Sequence, residues 1–181
     1  MPRLVHLNGP PGIGKSTLAA RLADRHPGTL ALDVDALHRF VGGWQDPVSD
    51  TWAAVWPLAK AMAVAHLDGG RDVVLPQYFA DAEEIAGFEA LARGRGADFR
   101  EVVLLDDRHA AIERFQRRAA GSDDPWVRHQ HQLVQERGGD AELAAMHDAL
   151  VAVTLRRPDA VVVPSRAGAV EETYALLVAV L

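Results

Sequence analysis

One stretch near the start, Gly9-Pro10-Pro11-Gly12-Ile13-Gly14-Lys15-Ser16-Thr17, restricts the fold more than any other part of the chain. An apolar run (Leu4, Val5, Leu7) precedes it, and a helix-patterned one (Leu18, Ala19, Leu22, Ala23) follows. Gly9, Gly14, Lys15 and Ser16 satisfy G-x-x-x-x-G-K-[ST] in a strand–loop–helix context, the setting in which that spacing cradles phosphate. Glycines let the backbone curl into a nest whose N–H groups converge on one anion. A helix opening near Lys15 adds the positive end of its dipole. Lys15 can reach the β- and γ-phosphates, and the Ser16 hydroxyl can ligate Mg²⁺. The expected contacts to a nucleoside triphosphate are therefore Gly9, Gly12, Ile13, Gly14, Lys15, Ser16 and Thr17. Lysine occurs elsewhere only at Lys60, so the motif is not one match among many.

Beyond the loop, short β-rich runs alternate with longer helical ones, which predicts an α/β fold with a mainly parallel sheet. Strands are expected at Arg3–Asn8, Thr29–Val34, Asp72–Gln77, Arg100–Leu105 and Ala160–Pro164, mostly continuous apolar runs as buried parallel strands require. Helices are expected at Lys15–His26, at Asp35–Gly43, from Ser49 or Asp50 to Leu67 with a kink at Pro57, and from Asp81, with Glu84 completing a capping box, to Arg93. Further helices open at Asp107, at Asp124-Pro125 and at Asp140, the last ending at Arg157-Pro158, and Ala169–Val180 closes the chain. The pattern is that of a P-loop three-layer fold: five strands in the order 2-3-1-4-5, with helices on both faces. With 181 residues and no repeat or linker, a single domain spanning 1–181 is expected.

A net charge of −6 leaves no basic surplus for phosphate backbones, so a nucleic-acid partner is not expected. Absence of cysteine removes disulfides, thiolate metal sites and a thiol nucleophile. No signal-like segment and no apolar run of transmembrane length is visible, so a cytoplasmic protein with no membrane partner is the expectation.

In such a fold, functional residues gather just beyond the carboxyl ends of strands. After strand two comes Leu32-Asp33-Val34-Asp35. Residues two apart on a strand share a face, so both carboxylates can project to one place. Phosphoryl transfer to a hydroxyl needs one carboxylate serving Mg²⁺ and another orienting or deprotonating the acceptor. The plainer alternative is that Asp35 merely caps the next helix.

Strand, GxxxxGK[ST] loop, helix, a strand ending in D-x-D, and an arginine-bearing segment after the fourth strand together resemble the small P-loop kinases. Shikimate kinase, gluconate kinase and chloramphenicol phosphotransferase are similar in style. The resemblance is good over residues 1–40, fair over 100–120 and weak elsewhere. It implies that Asp33 helps hold Mg²⁺ through water and that Asp35 contacts the acceptor hydroxyl as the base. It also implies a mobile lid at about 108–126, bringing Arg114, Arg117 and Arg118 over ATP, and an adenine-contacting loop at Pro164–Gly168, where Arg166 is the candidate. A segment at about 35–69 would cover the acceptor. The chain departs from gluconate kinase where strand three ends in Leu75-Pro76-Gln77-Tyr78 rather than in a basic residue.

Arginines spaced three and four apart share a helix face, and guanidinium groups neutralise transferring phosphate. Gln77 and Tyr78 are candidates for hydrogen-bonding an uncharged acceptor, with Arg39 and the loop residue Trp44. Trp52 and Trp56, four apart on one helix face, are read as core. His129 and His131 lack a third ligand at metal spacing and read as a solvated face. Val102-Val103-Leu104-Leu105-Asp106 imitates a strand that ends in a metal-binding Asp, the arrangement of switch ATPases. The leading expectation is an ATP- and Mg²⁺-dependent phosphotransferase acting on a hydroxyl of a small molecule; the alternative is a nucleotide-dependent switch or partner-binding ATPase that uses Asp106.

Overall fold

The structure is a computed structural model that describes residues 1–46 and 49–181. Five strands, β1 (Arg3–Asn8), β2 (Leu30–Ala31), β3 (Val73–Leu75), β4 (Asp98–Leu105) and β5 (Val161–Pro164), form one sheet in the order β2-β3-β1-β4-β5. This is the expected 2-3-1-4-5 order. β1 and β2 each pair in parallel with β3, and β4 pairs in parallel with β5, with Leu4 opposite Val73 and Val102 opposite Val161. Eight helices are present among the described residues: α1 (Lys15–Arg25), α2 (Val34–His38), α3 (Thr51–Asp68), α4 (Ala82–Arg93), α5 (Arg108–Ala120), α6 (Pro125–Glu136), α7 (Asp140–Thr154) and α8 (Val170–Val180).

Aspartate punctuation explains much of this order. Asp33, Asp50, Asp81, Asp107 and Asp124 each precede a helix and accept a hydrogen bond from a backbone N–H of its first turn. An N-cap carboxylate satisfies a donor that the helix leaves open and meets the positive dipole end.

The chain divides into two compact units. The first comprises Met1–Leu7, Ser16–Gln77 and Asp81–Glu101. Leu4, Val5 and Leu7 of β1 are buried in it with Val73, Val74 and Leu75 of β3, Leu18 and Leu22 of α1, and Val55, Ala59, Ala63 and Leu67 of α3. The spacing 55, 59, 63, 67 is a strict i, i+4 stripe, so α3 buries a single face. The second unit comprises Asn8–Lys15, Tyr78–Ala80 and Val102–Leu181. Its buried residues include Ile13, Val102–Leu104, Leu150, Val153 and Leu177, and Phe115, Val134 and Leu143 form a cluster joined by Ile112 and Met146.

Several sequence expectations need correction. β2 spans two residues rather than Thr29–Val34. The Asp33 side chain accepts from Ala36 N at 3.1 Å, and Val34 already begins α2. Asp33 and Asp35 are therefore a cap and a first-turn residue, not alternate positions of a strand. β3 stops at Leu75, before Pro76, which has no N–H for the ladder. β4 starts two residues early, where Asp98 N donates to Pro2 O at 2.9 Å. α2 stops at His38 rather than Gly43, and α7 stops at Thr154.

Trp52 and Trp56 are half-buried rather than core. They belong to a stack of rings. His38 and Trp52 have centroids 4.0 Å apart, Trp52 and Trp56 5.8 Å, and Trp56 meets Phe88 of α4 edge-on at 6.3 Å. Aromatic pairs of this kind add about 0.5–1.5 kcal/mol each beyond their buried area.

Candidate nucleotide and acceptor site

The phosphate loop is built within the second unit, and its shape depends on missing side chains. Gly9, Gly12 and Gly14 have φ of 153°, 78° and 107°, conformations that L side chains rarely adopt. A Cβ on Gly9 would lie 2.8 Å from both Leu104 O and Ile13 Cγ2, and one on Gly12 would lie 3.2 Å from Phe115 Cα. The loop thus passes against β4 and α5 with no room for a methyl group. Ile13 is buried beneath it, and Lys15 Nζ donates to the carbonyls of Gly9 at 2.7 Å and Pro10 at 3.1 Å, which fixes the ammonium across the loop.

Asn8, which sequence reasoning missed, anchors the loop's entry. Its Oδ1 accepts from Gly9 N at 2.9 Å and Phe79 N at 3.0 Å, and its Nδ2 donates to Phe79 O at 2.8 Å. Three of the four hydrogen bonds open to this fully buried amide are made, which makes it a rigid bracket. Ser165 is a second unforeseen anchor. Its buried hydroxyl donates to Ile13 O at 3.0 Å, while Arg114 Nη1 donates to Ser165 O at 3.0 Å. The only sequence signals were a polar residue at the end of an apolar strand and one just after the last strand.

A cavity of about 570 Å³ is lined by Gly12, Arg114, Arg117, Arg118, Ala167 and Gly168. That volume lies within the range of small-molecule sites. The three expected lid arginines meet there with the loop that follows β5, while Arg166 itself is exposed beside the lining residues. Burial draws the Arg114 guanidinium below its ordinary pKa and Arg117 adds repulsion, while Asp106 opposes both. An arginine remains charged regardless, so the consequence is a poorly solvated positive charge that gains by meeting an anion.

Asp106, at the end of β4, accepts from Asp107 N at 2.9 Å. His147 of α7 lies with Nε2 3.1 Å from Asp106 O. A carbonyl only accepts, so this nitrogen carries the proton. Nδ1 makes no hydrogen bond and lies 3.7 Å from Asp148 Oδ1. Tyr78, read from sequence as an acceptor contact, donates its hydroxyl proton to Met146 O of α7 at 2.9 Å. His131 is half-buried rather than on a solvated face: its Nε2 is 2.9 Å from Gln116 Oε1 and its ring stacks on Phe115.

The acceptor candidates belong to the first unit. Asp35 is half-buried in the first turn of α2, Arg39 is the exposed C-cap of that helix, and Trp44 lies in the following turn. Gln77 is half-buried beyond β3, and its carbonyl accepts from His6 Nε2 at 2.9 Å. Ser16 and Thr17 are exposed at the start of α1. No group of three or more His, Cys, Asp or Glu side chains able to hold a metal exists among the described residues. Mg²⁺ in nucleotide sites takes one or two protein oxygens and completes its shell with phosphates and water, and the hard oxygens of Ser16 and Asp33 fit that donor set. No helix among the described residues is long and apolar enough to cross a membrane.

A glycine nest closed by one lysine, at the carboxyl end of the central strand of a 2-3-1-4-5 parallel sheet, defines a P-loop nucleotide-binding fold. Residues 4–139 match the family model described as an AAA domain, and the chain belongs to that family. No curated protein matches it in sequence. Among solved structures, the chain is similar to a gluconokinase from Sinorhizobium meliloti 1021 (TM-score 0.65, 20% identity, covering 99% of this chain and 91% of that one). It is also similar to a chain of the Pnkp1/Rnl/Hen1 RNA repair complex (TM-score 0.70, 16% identity, 87% and 47% covered). The tunicamycin resistance protein of Deinococcus radiodurans matches less closely (TM-score 0.50, 18% identity, 84% and 96% covered). The fold is the one that small P-loop kinases share.

Proposed function

We propose that this protein is a cytoplasmic, ATP- and Mg²⁺-dependent phosphotransferase that moves the γ-phosphate to a hydroxyl of a small molecule. The observation that carries this reading is the cavity in which the glycine nest at Gly12 meets Arg114, Arg117 and Arg118. A triphosphate is the ligand that needs such a donor set, and positioning plus charge compensation is most of what phosphoryl transfer requires.

In this reading the backbone of Gly9–Thr17 and the Lys15 ammonium hold the β- and γ-phosphates. The acceptor oxygen bonds to the γ-phosphorus as the bond from phosphorus to the β,γ-bridging oxygen breaks, and ADP leaves with that electron pair. Asp35 takes the proton of the acceptor hydroxyl, and Arg114, Arg117 and Arg118 offset charge on the transferring group. Ser16 directly and Asp33 through water would hold Mg²⁺, which supplies further neutralisation when bound. The segment at about 35–69 covers the acceptor, with Arg39, Trp44, Gln77 and Tyr78 as contacts. Residues about 108–126 form the lid.

A switch or partner-binding ATPase is the second reading, favoured by the place of Asp106 directly after the buried apolar run of β4. The test incubates the protein with ATP, Mg²⁺ and a panel of hydroxyl compounds and reads ADP release above the acceptor-free rate. Stimulation by an acceptor, lost in Asp35→Asn and kept in Asp106→Asn, supports the kinase. ADP release that no acceptor stimulates, lost in Asp106→Asn, supports the switch.

A further inference from the structure

Asp35 rides on a helix of five residues, far below the length at which a helix holds itself together in water. Its direction has to come from elsewhere. The Asp33 cap fixes where α2 starts, but a cap does not set the rotation of a helix about its neighbour. His38 does. It lies three residues after Asp35, on the neighbouring position of the same helix face, and it is 2% exposed.

Two contacts lock that imidazole to α3. Its Nε2 lies 2.5 Å from Thr51 Oγ1, itself buried in the first turn of α3. Its ring lies 4.0 Å from that of Trp52, tilted by 37°. Trp52 is backed in turn by Trp56 one helical turn on, and Trp56 by Phe88, which is buried in α4. Four rings thus run from the helix that carries the proposed base into the core of the first unit.

We propose that His38, Trp52 and Trp56 are positioning residues for phosphoryl transfer: the ring stack sets the rotation of α2 and thereby aims the Asp35 carboxylate. The inference rests on the kinase reading for what Asp35 does, and on geometry alone for what holds it. Nothing in this role needs the tryptophans to touch a ligand. Small displacement of a reacting group is costly, with about 1 Å of misplacement lowering rates on the order of a hundredfold.

The test uses the full chain and four variants: Trp52→Leu, which removes the ring that touches His38, Trp52→Phe, which keeps a ring there, Asp35→Asn, and the double variant of Trp52→Leu with Asp35→Asn. Hydrogen exchange reads the brace without any acceptor. The expected result is faster exchange over residues 34–39 in Trp52→Leu, with α8 unchanged and Trp52→Phe close to wild type. With an acceptor found in the ADP-release screen, Trp52→Leu is expected to lower kcat about tenfold to a hundredfold, with the nucleotide Kd unchanged and most of the rate regained in Trp52→Phe. Adding Trp52→Leu to Asp35→Asn should then cost nothing more. Unchanged exchange over 34–39 overturns the brace, and so does loosened exchange with kcat intact. An effect confined to acceptor KM also overturns it and makes the tryptophans acceptor contacts instead. If no hydroxyl compound stimulates ADP release, the kinase reading falls, and the exchange experiment still decides whether the ring stack orders α2.

Discussion

The proposed nucleotide region and the proposed acceptor region are made in opposite ways. The nucleotide half is a contiguous run, Asn8–Lys15, whose shape is dictated by its own glycines, fastened by Asn8 below and Ser165 beside it. The region proposed for the acceptor is a five-residue helix, a turn and the first stretch of α3, where His38 and Trp52 pack ring to ring. The first presents donors and positive charge; residues 35–69 carry Asp35, Asp46, Asp50 and Asp68 against Arg39 and Lys60. A nucleotide site asks for the same chemistry in every protein that binds a triphosphate, so local backbone geometry suffices. An acceptor site must differ with the acceptor, and a short helix leaning on replaceable side chains is easier to re-aim than a nest that leaves no space for a Cβ.

If that contrast is right, the largest effect separates the halves outright. Asp35→Asn should lower acceptor phosphorylation about 10²–10⁴-fold while the nucleotide Kd, measured by calorimetry, stays within about twofold. Lys15→Met is the mirror experiment. It should lower turnover with any acceptor about 10²–10³-fold and weaken nucleotide binding too. A third variant probes the nest without touching charge. Gly9→Ala sets a methyl group against Leu104 O, 2.8 Å away, in a conformation L residues avoid, and should cost about 1–3 kcal/mol of stability in urea unfolding. Equal tolerance of alanine at Gly9 and at the exposed Gly42 would show that the loop is not shaped by its glycines. Ser165→Ala removes a buried hydroxyl from Ile13 O and should cost about 1 kcal/mol, read in the same way.

The smallest effect is a pH signature. Backbone N–H groups of Ala110 and His109 hold the exposed Asp107 carboxyl below its ordinary pKa. A carboxylate with a depressed native pKa contributes stability above its unfolded value and loses it as pH falls toward the native one. Asp107→Ala should therefore be less stable than the wild type at neutral pH, with the gap narrowing in acid below the usual carboxylate range. Parallel stability curves across that interval would remove the cap from the account of α5.

Legibility followed the same division. The loop and the arginines of α5 could be read because each follows from spacing along the chain, and the strand order because the loop motif carried the P-loop fold with it. The D-x-D pair misled on geometry, since Asp33 answers equally to strand alternation and to an N-cap, and the capping hydrogen bond to Ala36 won. Trp52 and Trp56 were placed on one helix face correctly, but periodicity gives direction rather than depth, and their partners His38 and Phe88 lie on two other helices. Asn8 and Ser165 left almost no signal, because one buried polar residue is visible only when its partners, distant in sequence, are known.

The Ser165 linkage has a consequence for nucleotide choice. Through its hydroxyl on Ile13 and its carbonyl on Arg114, one residue after the last strand joins the floor of the phosphate nest to the arginine that overlooks it. Ala167 and Gly168, two and three positions on, line the same cavity. In the kinase reading, with the base against that loop, a purine too bulky for it would be penalised twice, by its own poor fit and by a shift passed through Ser165 to Ile13 and Arg114. Discrimination between bases would then register as slower transfer as well as weaker affinity.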